Sequence, residues 1–240
     1  MIKNLFSKLI IFSFYLIFTN SLYAAENVKG PATEYIITMT KVELCESGST
    51  ISNCLNPIDI TSGVGASADI AGVEAGQAAA TVADFGKAQV GKTYTHIQTV
   101  LSRAMTITGR AGTSGNCTTK AGVNGALNTA GAVGALNGTP GSAILYVPFF
   151  SQDLTNYSMM EGSDENGENL ATLATVRNTD THFRSRQVLT TPYTPVAGSS
   201  PTVFLAFDTS IAVNELNDAD CTDAGLQAAP PTVTITVQGQ

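Results

Sequence analysis

The chain has 240 residues, of which 43% are hydrophobic and only 13% charged, and its formal net charge is −7. An acidic, charge-poor chain lacks the basic stripe that nucleic acid or an anionic lipid surface requires, so both partner classes are excluded. At this length roughly 70% of the unfolded surface can be buried, and no metal is needed to fold.

Residues 1–24 read as a signal peptide. Lys3 and Lys8 open it, Leu9–Phe18 is an apolar core, and Ser21–Ala25 holds the cleavage region. A permanent span would need about 20 apolar residues, so no membrane span is expected after cleavage. Losing two lysines leaves ten basic residues against 19 acidic ones, a net of −9 where the whole chain has −7. The expected location is secreted, extracellular or on the cell surface, with the periplasm as the alternative. Residues 25–240 are expected to form a single β-sandwich domain.

Ala25–Pro31 is a short polar lead. In the first strand, Tyr35–Cys45, residues Tyr35, Ile37 and Met39 share one parity, and Ile36, Val42 and Leu44 share the other. Either both faces are partly buried or a bulge swaps the parity. Glu46–Pro57 is a loop and Pro57–Thr61 a short strand. Gly63–Gly91 is rich in Ala and Gly, with weak strands near Ala68–Ala71 and Ala79–Ala83, or a short helix within Val73–Val82.

The run Thr93–Gly109 is the centre of the pattern. It is rich in Thr, Ile, Val and Tyr, which suit a pleated sheet. Ile97, Leu101, Met105 and Ile107 share a parity, with Thr95, Thr99 and Arg103 between them. The run is long for one strand, which predicts a bulge or bend near Ser102–Ala104.

Residues 110–142 are almost entirely Gly, Ala, Asn and Thr, and GALN occurs twice, at Gly125–Asn128 and Gly134–Asn137. Such a composition cannot pack a core alone, and it reads as a long surface insertion tethered by Cys117. Ala143–Phe150 is a buried strand. Ser151–Asn169 is a polar loop, and Asn169–Arg177 and Ser185–Thr191 look like paired strands. Thr202–Asp208 alternates, with Val203, Leu205 and Phe207 on one face. The cleanest period-2 segment is Thr232–Gln238, where Val233, Ile235 and Val237 alternate with threonines. No strong helical period interrupts the series, so the expected class is all-β: an antiparallel β-sandwich with long Gly/Ala-rich loops.

Four cysteines, Cys45, Cys54, Cys117 and Cys221, form an even set, which in an exported chain favours two disulfides. Three pairings exist; Cys45–Cys54 with Cys117–Cys221 is favoured as one local loop and one long staple. In the chain-entropy model the long closure contributes about 4–5 kcal/mol and the short one about 3 kcal/mol. There is no CxxC, and His96 and His182 stand apart, so no zinc site is expected.

Gly63, Gly65 and Ala68 fit GxGxxA, but no helix opens there and no second βαβ strand carries an acid. Asp164, Glu165, Asn166 and Glu168 offer oxygen ligands, as do Glu215, Asp218, Asp220 and Asp223. Calcium takes roughly six to eight oxygens in a set order, and SDENGEN has its glycine too early for that loop, so these read as solvated acidic turns. No GxSxG places a nucleophile for either histidine. Sequons stand at Asn116, Asn137 and Asn156. No cofactor, metal or catalytic residue is assigned.

Gly91, Tyr94 and Thr95, in a turn entering a strand, resemble the entry motif of prealbumin-like (transthyretin-like) β-sandwich modules of bacterial surface proteins. Tyr35–Leu44, with its Lys-Val-Glu-Leu stretch, is similar to their first strand. The resemblance implies a secreted sandwich used in attachment or assembly and brings no catalytic residues with it.

The expected role is therefore structural or interactive and not enzymatic. The sharper form is a subunit of a surface filament or matrix, with self-association or other surface proteins as partners. There Val233, Ile235 and Val237 form an assembly strand that completes a neighbour's sheet. The alternative is a monomeric secreted or periplasmic binding module, for a small ligand or glycan, with a concave site near the SDENGEN or Gly/Ala loops. A hydrolase would need acidic and imidazole groups converging in one pocket.

Overall fold

A computed structural model describes residues 28–62, 65–72, 83–151, 158–198, 202–216, 221 and 225–238. The expected signal peptide and the expected elements within 73–82 lie outside them. In chain order the strands are β1 (Val28–Gly30), β2 (Ala32–Glu46), β3 (Ile58–Asp59), β4 (Ala66–Asp69), β5 (Tyr94–Ser102) and β6 (Ala104–Ala111). Next come β7 (Cys117–Thr118), β8 (Ala135–Leu136), β9 (Ala143–Tyr146), β10 (Phe150–Ser151), β11 (Ser158–Ser163) and β12 (Thr175–Val176). The last are β13 (His182–Tyr193), β14 (Thr202–Asp208), β15 (Val213–Glu215), β16 (Leu226–Ala228) and β17 (Thr232–Gln238). Every pairing between them is antiparallel.

The largest sheet has the order β11-β13-β5-β2-β6-β7-β8, with β3 and β4 on β2 and β9 on β6, and it curls into half a barrel. Its inner face carries Tyr35, Ile37, Met39, Val42, Leu44, Met105, Ile107, Leu145 and Phe183, all buried. The ribbon β14–β17 closes that face with Ile235 and Val237, and the small sheet β1-β15-β16 lies against β6. The result is the expected all-β, sandwich-like architecture.

The parity conflict in β2 resolves as a bulge. Its register slips between Met39 and Lys41, so Met39 and Val42 both point into the core. The long central run breaks where its length predicts. β5 ends at Ser102, β6 begins at Ala104, and the Ser102 hydroxyl accepts the Ala104 N–H at 3.1 Å.

Arg103 stands at that break with no solvent exposure. Its backbone N–H donates to Thr181 O at 2.9 Å, and its carbonyl accepts from Val147 N at 2.9 Å. Its guanidinium donates to Val147 O at 2.9 Å, Arg177 O at 2.9 Å, Asp180 O at 2.7 Å and Leu127 O at 3.3 Å. Burial lowers the tendency of this group to hold its proton, and the nearby Asp180 carboxylate acts the other way. Asp180 is itself fixed by Arg177, whose N–H, Nε and Nη2 all donate to it.

Several expectations need correction. The lead segment contains β1, which pairs with β15. Ser158–Ser163 is an ordered strand, not part of a polar loop, and it is the partner of β13; Asn169–Arg177 contributes only the two-residue β12, paired with β10. Met159, fully buried, explains why that segment is held. Residues 110–142 are also less superficial than their composition suggests. Cys117, Thr118, Thr119, Ala130 and Ala132 are buried, and the segment bonds to β6, β9 and β16. Small residues permit this backbone-to-backbone packing: a Cβ at Gly141 would stand 2.7 Å from Ala121 N.

Replacing Arg103 with methionine keeps most of the volume but leaves buried carbonyls without a donor. It should cost about 3–5 kcal/mol, read as a lower urea midpoint at unchanged slope. A midpoint equal to that of the parent would show that the four carbonyls do not depend on this group.

Candidate functional site

The outer face of β11-β13-β5-β2 is polar yet largely dry. Register places Met159, Arg186, Gln98 and Glu43 in one row across the four strands, and Glu161, Arg184, Val100 and Lys41 in the next. Glu43, Gln98, Arg186 and Glu161 are all buried. Gln98 joins the two charged ends of its row. Its Nε2 donates to Glu43 Oε2 at 2.6 Å, and its Oε1 accepts from Arg186 Nε at 2.8 Å and from Nη2. Lys41 Nζ pairs with Glu43 Oε1 at 2.9 Å, and Arg184 Nη2 with Glu161 Oε2 at 2.7 Å. Burial, and then the repulsion of Arg184, bring the Arg186 guanidinium down to about 10, still protonated at neutral pH.

Two loops keep this face dry. One is the loop closed by Cys45–Cys54, whose Ile51 carbonyl accepts from Arg186 Nη1 at 2.7 Å. Its base is clamped by Glu46, which accepts from Asn56 Nδ2 at 3.0 Å and pairs with Lys92 at 3.1 Å. These contacts, Asn56 first, hold the Glu46 carboxyl below its ordinary range. The other is the SDENGEN loop. Asp164 Oδ1 accepts the N–H groups of Asn166 and Glu168 at 3.0 and 2.8 Å, and the Glu165 carbonyl accepts from Thr40 Oγ1 at 2.6 Å. Gly167, at φ +76°, lies against Val100.

Between this loop and β3 lies an open groove of about 510 Å³, lined by Thr40, Lys41, Asp59, Thr61, Glu165, Asn166 and Glu168. The β2 bulge supplies Thr40 and Lys41, which places a sheet irregularity at the groove. Burial works to raise the Asp59 carboxyl, but hydrogen bonds from Thr61 outweigh it, with Lys41 and Lys87 adding to them, and the net shift is down. The lining offers carboxylates, hydroxyls, an amide and one ammonium, a set suited to polar ligands. Among the described residues, no three His, Cys, Asp or Glu side chains come together to hold a metal ion.

The histidines do not meet in this groove. His96 is buried in register with Cys45 and Val188, and its Nδ1 contacts Thr95 Oγ1 at 2.9 Å. His182 stands across from Ser163 and Ser102, with Nδ1 at 2.9 Å from Thr181 Oγ1. Both are held below the usual imidazole range, chiefly by burial. The Arg186 charge adds to this at His96, whereas Glu165 and Asp164 oppose it at His182.

All four cysteines pair as favoured, Cys45 with Cys54 and Cys117 with Cys221. Val233, Ile235 and Val237 lie on β17, which pairs with β14 over seven positions without a register shift. Ile235 and Val237 are buried and Val233 packs on the core beside them. Sequence reasoning passed over Lys41, Glu43, Gln98 and Arg186. The two-residue spacing of Lys41 and Glu43 is visible in the sequence but reads as a solvated strand face unless the covering loops are known, and Gln98 and Arg186 stand on other strands. No protein-family model matches the chain, and no curated protein or solved structure is detectably similar to it. Among the described residues, no helix is long and apolar enough to cross a membrane.

An imidazole held low when folded binds less proton than in the unfolded chain. The stability it supports is complete above the unfolded value of about 6.5 and declines as pH falls below it. Melting temperature should therefore drop between neutral and mildly acidic pH, and His96→Asn should flatten that slope. An equally steep slope in the variant would assign the effect to other groups.

Proposed function

We propose that the protein is an exported structural or interaction protein that associates with further copies of itself, as a subunit of a surface filament or matrix, by exchanging strands at the β14–β17 ribbon. The ribbon's construction carries this reading. Among the described residues, β14 and β17 hydrogen-bond to each other and to no third strand. β17 has no charge, no proline and no bulge, the features that normally blunt a free sheet edge. Its apolar side docks on the core through Ile235 and Val237, so the same strand offered to a neighbour would bring main-chain bonds and two anchoring side chains. Two disulfides fit an oxidising location outside the cytoplasm.

A second reading has its own support: a monomeric binding module using the groove beside the SDENGEN loop. It predicts that Glu165→Gln with Glu168→Gln changes binding of a small polar ligand or glycan and leaves the monomer intact.

Locking the ribbon separates the two. Ala206 and Thr234 are partners across β14 and β17. Ala206→Cys with Thr234→Cys, oxidised in the monomer, should prevent assembly while sparing the fold, and reduction should restore it. Polymers of undiminished length in the oxidised variant, seen by electron microscopy, would rule out strand exchange.

A further inference from the structure

The sequence contains three Asn-Gly pairs: Asn124–Gly125, Asn137–Gly138 and Asn166–Gly167. Glycine without a Cβ lets its backbone nitrogen approach the preceding side-chain carbonyl carbon, so such pairs can cyclise. Attack requires a glycine N–H free to lose its proton and an asparagine amide free to turn onto it.

The fold restrains two of the pairs. Asn124 Oδ1 accepts from Ile144 N at 2.8 Å, and Gly125 N donates to Ile144 O at 2.8 Å. Gly167 N donates to Asp164 O at 3.1 Å, and the N–H of Asn166 is held by Asp164 Oδ1 at 3.0 Å. The third pair is different. Asn137 is exposed and sits in the left-handed region at φ 52°. Its own N–H donates to Asn116 O at 2.6 Å. Among the described residues, neither its side-chain amide nor the Gly138 N–H has a hydrogen-bond partner.

We infer that Asn137 is a site of spontaneous self-modification. The Gly138 nitrogen attacks Cγ of Asn137, a C–N bond forms, the bond to the side-chain nitrogen breaks, and ammonia leaves with the amide proton. Water then opens the five-membered imide at either carbonyl, giving aspartate or isoaspartate. No oxidant or reductant takes part. Both products add a negative charge to an already acidic chain. The isoaspartate also adds a methylene to the backbone of a tight turn, where even a Cβ on Gly138 would stand 2.9 Å from Thr118 Oγ1. That turn follows the β7–β8 ladder, in which Cys117 pairs with Leu136, so the change falls next to the Cys117–Cys221 staple.

The test is peptide mapping by mass spectrometry after the native protein has stood at mildly alkaline pH, with isoaspartate-specific methylation as the second readout. Deamidation should accumulate at Asn137 several-fold faster than at Asn124 or Asn166. In the reduced, denatured chain the three should converge, and Gly138→Ala should slow the reaction at Asn137. Native rates equal at all three pairs, or an unreacted Asn137, would overturn the assignment.

Discussion

The structure depends on one buried cation, Arg103, at the break between β5 and β6. A sheet that curls must let its central run change neighbours, and at the change the backbone groups of several segments lose regular partners. Arg103 supplies donors in a planar fork and spends them on four carbonyls from three separate stretches of chain. A lysine has three donors on one atom and could not span them. Burying a charge is costly, and here main-chain carbonyl dipoles offset the cost. β9, the loop before β13 and residues 110–142 therefore share one anchor.

The outer face follows the same logic on a smaller scale. Arg186 on β13 and Glu43 on β2 are buried on either side of β5; between them the amide of Gln98 faces a carboxylate with its donor and a guanidinium with its acceptor. The Cys45–Cys54 loop then caps the row through Ile51. The disulfide thus holds a lid over a polar layer as well as shortening the unfolded ensemble. The groove opens where this cover ends, at the bulge that turns Thr40 and Lys41 outward.

What could be read in advance was whatever depends on neighbours in sequence. Alternation in Thr232–Gln238, the break near Ser102–Ala104, the parity conflict between Tyr35 and Leu44 and the local Cys45–Cys54 loop were legible from spacing; with that loop closed, Cys117 and Cys221 are the two cysteines left to pair. What depends on distant partners was not. Arg103 looked like one polar residue among apolar ones of its parity, and nothing local says that four carbonyls await it. Ser158–Ser163 reads as part of the polar stretch Ser151–Asn169; the pairing of Glu161 with Arg184 across the ladder is a distant contact that places its charge in a strand. The Gly/Ala stretch looked superficial because small side chains bury little area, although those same side chains let backbones approach closely. The groove draws on β2, β3 and a loop more than a hundred residues later, so no local pattern announces it.

Strand exchange as proposed requires the β14–β17 ribbon to open while the body anchored by Arg103 stays closed. Native-state hydrogen exchange tests that directly. The amides of Arg103 and Val147 should exchange only with global unfolding, while those of Thr232–Gln238 exchange through a smaller opening that leaves the Arg103 anchor closed. If both sets exchange with the same free energy, the ribbon cannot detach separately, and association by strand exchange from the folded protein is contradicted.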